Sequence, residues 1–209
     1  MIHLFHGFLG SPEEYNFLQG KDIISHDLYH LKSLPEVNQE DTLIGYSMGG
    51  RIALEIASQL QFKIKKIVLI NSHPGLQTDE ERELRVPFEN KIISLLKTLP
   101  KEEFLKEWNR YPIFKDDDPI TEISEERYQG SLELFEKNLL SKQKNYLPEL
   151  ILNRDKVLYI LGLKDEKYVD MARELLINHD IDVKGIDGGH RLLQHKNELK
   201  EILMNEGII

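Results

Sequence analysis

Asp41-Thr42-Leu43-Ile44-Gly45-Tyr46-Ser47-Met48-Gly49-Gly50-Arg51 places a G-x-S-x-G motif between an apolar run and an amphipathic one. The run up to Tyr46 reads as a strand buried on both faces, because it is short, apolar and bounded by Asp and Gly. A helical pattern starts at Met48 and continues from Arg51 to Leu60. A serine between such a strand and such a helix sits on a tight, strained turn that thrusts its hydroxyl out over the sheet edge. Side chains two residues to either side would collide with the strand and the helix, which accounts for Gly45 and Gly49. The helix N-terminus adds free N–H groups and the positive end of its dipole, both suited to developing negative charge. Ser47 is therefore the candidate nucleophile.

Outward from this turn the same alternation recurs. Met1–Phe5, Asp22–His26, Ile67–Ile70, Val157–Leu161 and Ile181–Ile186 read as further strands, and helical patterns such as Tyr168 to Asn178 lie between several of them. Strand, helix, strand repeated along a chain implies a parallel sheet with right-handed crossovers. The expectation is an α/β fold, a mostly parallel sheet of about six strands flanked by helices. Residues 77–150 break the rhythm and read as helices alone. Thr78 and Glu81 form a capping-box pattern. Pro87 is expected to interrupt or kink that helix. Pro100 suits the first turn of the next, which carries Phe104, Leu105 and Trp108 on one face. Ser124 caps another helix, expected to run to about Leu140, and Lys115-Asp116-Asp117-Asp118-Pro119 reads as an exposed loop. A helical insertion between strands of a parallel sheet makes a lid over the strand ends. The core is thus expected over 1–76 and 151–209, and the lid over 77–150.

The chain has 209 residues, enough for one core with a modest insertion. With 40% apolar and 30% charged residues it has an ordinary globular composition. Its net charge of -9 repels phosphate backbones, so no nucleic-acid partner is expected. No cysteine is present, which excludes disulfides, thiolate nucleophiles and Cys-ligated metals. No apolar run has the length of a membrane span, and Met1–Gly10 carries no basic leader. A cytoplasmic chain with no membrane partner is the expectation.

In sites built on such a turn the order is serine, acid, histidine, and the acid and base each follow a strand. Asp165 follows Val157–Leu161 through Gly162-Leu163-Lys164, and His190 follows Ile181–Ile186 through Asp187-Gly188-Gly189. His190 would take the proton of Ser47, and Asp165 would hold the imidazole tautomer. Asp187 and Asp170 are alternative acids, and His195, within the final helical stretch, is an alternative base. The loop His6-Gly7-Phe8-Leu9-Gly10 after the first strand makes the Phe8 and Met48 N–H groups the candidate oxyanion hole, with His6 shaping the loop. His26 and His30 are four apart, but no H-E-x-x-H pattern accompanies them, and no metal or cofactor is expected. Arg51 sets a positive charge in the first helical turn, against the dipole, with only Glu55 as an i+4 partner. That misplacement suggests a charge held beside the nucleophile for a small anionic substrate.

Together these segments resemble the menaquinone-biosynthesis synthases that make 2-succinyl-6-hydroxy-2,4-cyclohexadiene-1-carboxylate, a subgroup with the α/β-hydrolase fold. The resemblance rests on His6-Gly7-Phe8-Leu9-Gly10-Ser11, on Gly45 to Arg51, and on Ser72-His73-Pro74-Gly75-Leu76 followed by Glu81-Arg82 and Arg85. It continues through Glu107-Trp108, Pro112-Ile113-Phe114, Gly162 to Tyr168 and Gly189-His190. It implies elimination of pyruvate from an enolpyruvyl cyclohexene carboxylate, with the triad serine acting as a base on a ring proton. It implies arginines that bind the substrate's carboxylates. Arg51 matches one of them, Arg82 or Arg85 a second, and Arg127 a third more loosely. Tyr46 and Trp108 would line the pocket. Against the family pattern, the sequence begins at the oxyanion strand, without the opening hairpin of an eight-stranded sheet, and the lid is short.

Two other functions fit the same residues. A small-acyl esterase or thioesterase would use Ser47 as an acylated nucleophile and would need an apolar acyl pocket. A non-catalytic binding protein would have no use for Ser47, Asp165 and His190 together.

Overall fold

A computed structural model describes residues 1–209. Six strands form one sheet in the order β2-β1-β3-β4-β5-β6, every neighbouring pair parallel. The strands are β1 (Ile2–Phe5), β2 (Ile23–His26), β3 (Thr42–Tyr46), β4 (Lys66–Ile70), β5 (Val157–Gly162) and β6 (Asp182–Ile186). Chain order runs outward in both directions from β1 and β3. That reversal leaves a crevice at the strands' carboxyl ends, where ligands bind in open α/β sheets.

Successive residues of the inner strands enter different cores. Phe5, Leu43, Leu69, Tyr159 and Leu161 pack on one face, under α1 (Met48–Gln59) and α6 (Glu166–His179). Leu4, Ile44, Val68, Ile70, Leu158 and Ile160 pack on the other, beneath Tyr15, Leu18 and α7 (Lys196–Asn205). Burial on both faces is why these strands are continuous apolar runs rather than alternating ones.

Between β4 and β5 the chain leaves the sheet for four helices: α2 (Asp79–Thr98), α3 (Lys101–Asn109), α4 (Glu125–Lys137) and α5 (Leu147–Leu152). The Thr78 hydroxyl accepts the Glu81 N–H, and the Glu81 carboxylate accepts the Thr78 N–H. Pro87 does not interrupt α2. Its missing hydrogen bond would have gone to Glu83, and both residues face solvent, where water satisfies the freed carbonyl. Ser124 caps α4 through the Arg127 N–H, and this helix ends at Lys137, short of Leu140. Pro100 stands one residue before α3, as its cap, and His195 is the cap of α7 rather than a residue within it. No helix is long and apolar enough to cross a membrane.

Candidate active site

Ser47 joins β3 to α1 at φ 51° and ψ -113°, a region that L-residues avoid. Two contacts to the chain around the end of β4 hold it there. The Ser47 N–H donates to the Ile70 carbonyl at 2.9 Å, and the Ser72 hydroxyl donates to the Ser47 carbonyl at 2.8 Å. Position 49 admits only glycine, because a Cβ there would overlap the Phe5 and His6 carbonyl oxygens. That close approach seats α1 on β1 and aims its N-terminus at the crevice.

His190 Nε2 lies 3.1 Å from Ser47 Oγ, and His190 Nδ1 lies 2.7 Å from Asp165 Oδ2. Asp165 caps α6 just after β5, and His190 follows β6. Both are buried. With Nδ1 protonated toward Asp165, Nε2 is free to accept the serine proton. The structure thus brings Ser47, His190 and Asp165 together. It leaves the alternatives outside: Asp187 pairs with Lys164, Asp170 with Arg173 and His195 with Glu198.

The Phe8 and Met48 N–H groups donate to no protein acceptor, and both residues border the cavity above Ser47. His6 holds the Phe8 loop. Its Nε2 accepts the Leu28 N–H at 3.0 Å, so its Nδ1 carries the proton and donates to the Gly7 carbonyl at 2.8 Å. His26 faces His3 and His30 faces Asp27 and Glu126, and no group of three His, Asp or Glu side chains is arranged to hold a metal.

The cavity measures about 360 Å³. Its walls are largely aromatic and aliphatic, with Phe8, Phe88, Trp108, Tyr111 and Phe114 among them. Into it come three cations, Arg51, Arg85 and Lys167, together with His73. Arg51 gives one nitrogen to the Asn138 carbonyl and the Gln143 side chain, at 2.7 and 3.3 Å. Burial draws its guanidinium down to about 10. Burial, and then repulsion from Arg85, lowers Lys167. Burial, followed by the charges of Lys167, Arg51 and Arg85, draws His73 down to about 3. Of the three cations only Arg85 makes a salt bridge, with Glu89 at 3.3 Å. Cations gathered around one largely apolar cavity repel one another, and an anion among them relieves that repulsion.

Two of the expected arginines stay outside the cavity. Arg82 spends its donors on the carbonyls of Ser141, Gln143 and Leu76, stitching α2 to the chain that follows α4. Arg127 forks onto Asp27 at 2.8 and 3.1 Å and onto the Gly10 carbonyl. Arg85, three residues beyond Arg82, is the arginine of α2 that the helix turns inward. Trp108 lines the main cavity. Tyr46 lines a smaller neighbour of about 70 Å³ instead, with Glu14 and Arg191, and its ring packs 5.7 Å from that of His190. Asp117 is not in an exposed loop, because its carboxylate accepts the His190 and Arg191 N–H groups.

Sequence reasoning missed Lys167, His73 and Asp117. Lys167 had a legible signal: it is a cation in the first turn of α6, against the dipole, as Arg51 is in α1. His73 stands just beyond the carboxyl end of β4, where ligands gather in such sheets. Asp117 had no local signal.

Residues 34–91 match the family model described as the alpha/beta hydrolase fold. A Haemophilus influenzae protein named putative 2-succinyl-6-hydroxy-2,4-cyclohexadiene-1-carboxylate synthase is 28% identical over 179 residues, covering 81% of this chain and 71% of that one. An Escherichia coli protein named as the same synthase is 26% identical over 155 residues, 71% of this chain and 62% of that one, so the match spans under two thirds of the Escherichia coli relative. The structure of MenH from S. aureus has a TM-score of 0.75 at 20% identity, covering 99% of this chain and 94% of that one. A carboxylesterase structure from Nitrososphaera gargenis has a TM-score of 0.66 at 16% identity, covering 98% and 88%. Fold and relatives together define an α/β-hydrolase-fold enzyme. Within that class, the Haemophilus influenzae and Escherichia coli proteins that it resembles over 81% and 71% of its length are both named for the synthesis of 2-succinyl-6-hydroxy-2,4-cyclohexadiene-1-carboxylate.

Proposed function

We propose that the chain eliminates pyruvate from 2-succinyl-5-enolpyruvyl-6-hydroxy-3-cyclohexene-1-carboxylate, with Ser47 as the base, His190 as its proton acceptor and Asp165 as the group that orients His190. The observation that carries this reading is the set of three cations, Arg51, Arg85 and Lys167, in the cavity that holds Ser47 and His190. The substrate has three carboxylates, on the ring, the succinyl arm and the enolpyruvyl arm. A neutral ester would leave those charges desolvated and unpaired.

Each reacting group has a residue suited to it. His190 Nε2 takes the Ser47 proton as the serine oxygen removes the ring proton beside the succinyl ketone. Charge moves onto the ketone oxygen, which the Phe8 and Met48 N–H groups would meet as an oxyanion hole. The electrons return through the ring double bond and expel the enolpyruvyl oxygen, and the enol leaves to become pyruvate. Ser47 keeps the proton taken from the ring and His190 gives its proton to the departing enolpyruvyl oxygen, so both residues are regenerated and no covalent intermediate forms. The small anionic substrate is the partner this reading requires.

A second reading is favoured by the aromatic wall of the cavity: cleavage of a small acyl ester with Ser47 acylated. Pyruvate release from the enolpyruvyl substrate, run beside hydrolysis of a nitrophenyl ester, separates the two. The synthase reading expects pyruvate with negligible ester cleavage. Ester cleavage without pyruvate replaces it with the esterase.

A further inference from the structure

His190 follows two consecutive glycines, so its backbone needs outside support to hold the ring between Ser47 and Asp165. Two clamps provide it. From the core, the Asn71 side-chain amide donates to the Gly189 and His190 carbonyls at 3.1 and 2.9 Å, while its own carbonyl oxygen accepts the Gly162 N–H. From the lid, Asp117 Oδ2 accepts the His190 N–H and Oδ1 accepts the Arg191 N–H, both at 3.0 Å. A Cβ on Gly189 would overlap the Asp117 carboxylate, so the glycine is what lets the lid come so close.

The surrounding contacts fix where Asp117 can stand. Arg191 donates to the Asp118 carbonyl and to Asn109 Oδ1, each at 2.7 Å, and lies 4.2 Å over the Phe114 ring. The Gln194 side chain accepts the Asp118 N–H and donates to its carbonyl. The segment that carries the base and the segment between α3 and α4 are thus one sewn unit, with His190 at its inner end.

We propose that Asp117 is a positioning residue that ties the docking of the lid to the alignment of His190. This rests on the reading of His190 as the base. The chemistry requires a carboxylate. Two parallel N–H donors need two acceptors, and an amide offers one acceptor and turns its NH₂ toward a donor. With the lid displaced, both N–H groups lose their partner and only the Asn71 clamp remains. Closure over substrate and alignment of the base then become one event.

The test compares the full-length wild type with Asp117→Asn and Asp117→Ala by two readouts. The first needs no substrate: the low-field NMR signal of the His190 Nδ1 proton bonded to Asp165, assigned by its loss in His190→Ala. The second is the split between kcat and KM for pyruvate release. Asp117→Asn is expected to shift or broaden the signal and to lower kcat by about ten- to a hundredfold, with KM within about threefold. Asp117→Ala, which lets water replace the carboxylate, is expected to fall between it and wild type. An unchanged signal in both variants overturns the proposal. So does a rise in KM with kcat intact, since Asp117 would then only help cover the substrate. A wild type that shows the signal but releases no pyruvate removes the proposed substrate, and the NMR comparison still decides the role of Asp117.

Discussion

The backbone of Ser47 stores strain at φ 51°, of order 1–3 kcal/mol for a residue with a Cβ in so sparse a region. Ser47→Gly removes that strain together with the hydroxyl. It is expected to abolish turnover and to raise the melting temperature by a few degrees, and calorimetry beside a pyruvate assay checks both. A fall in melting temperature would mean that the serine hydroxyl also holds the turn. Ser47→Ala and His190→Ala are expected to abolish turnover while the protein stays folded. Lys167 bears on the choice of substrate. It brings a charge with no carboxylate partner to the cavity wall, so Lys167→Ala is expected to raise KM for the tricarboxylate by about tenfold or more. It should leave any cleavage of a neutral ester unchanged, and equal losses on both would make Lys167 structural. The argument that picks out Arg51, a cation against a helix dipole, applies equally to Lys167. Arg82 and Arg85 differ in nothing local. Both are lid arginines on α2, and only the packing of that helix sends one to backbone carbonyls and the other into the cavity.

At the scale of elements, β3, the turn and α1 were legible because each carries its own local requirement: an apolar run, a glycine-bounded serine and a helical period. The other strands were legible for the same reason, to within a residue at each end. How the lid is held was not, since the contacts that dock it join residues far apart in sequence. Arg127 shows this: in sequence it is one more cation on a helix, and in the structure it bridges α4 to Asp27 and lies 5.0 Å over the Tyr29 ring. Burial opposes ionisation of Asp27, but hydrogen bonds from Arg127, His30 and the Tyr29 N–H outweigh it and hold the carboxyl at about 2. Arg127→Ala is expected to lower stability by about 1–2 kcal/mol, as loss of a forked, half-buried pair does, and to leave KM within about threefold. A large rise in KM without destabilisation would return Arg127 to the substrate.

For the molecule as a whole, buried histidines set the response to acid. Burial lowers His3 and His6, draws His26 down to about 4 and, with three nearby cations, draws His73 down to about 3. Their ordinary value is 6.5, so between about pH 4 and 6.5 the unfolded chain binds protons that the folded chain refuses. Stability therefore rises with pH across that window, by about 1.4 kcal/mol per pH unit for each proton of difference. Glu14 acts in the opposite sense. Burial raises it to about 7, so below that value the folded chain holds a proton that the unfolded chain releases above about 4.5. The exposed His30, raised by Asp27 and Glu126, also opposes the trend. Four histidines outweigh these two groups, and the melting temperature at pH 5 is expected to lie roughly 4–8 °C below that at pH 7. A flat or inverted profile would mean that Glu14 governs this range. His26→Gln separates the contributions, since glutamine can still bond to His3 Nδ1, as the His26 ring does at 2.9 Å, but takes up no proton. The variant should flatten the slope between pH 6.5 and 4, whereas an unchanged slope would assign the acid response to His3, His6 and His73.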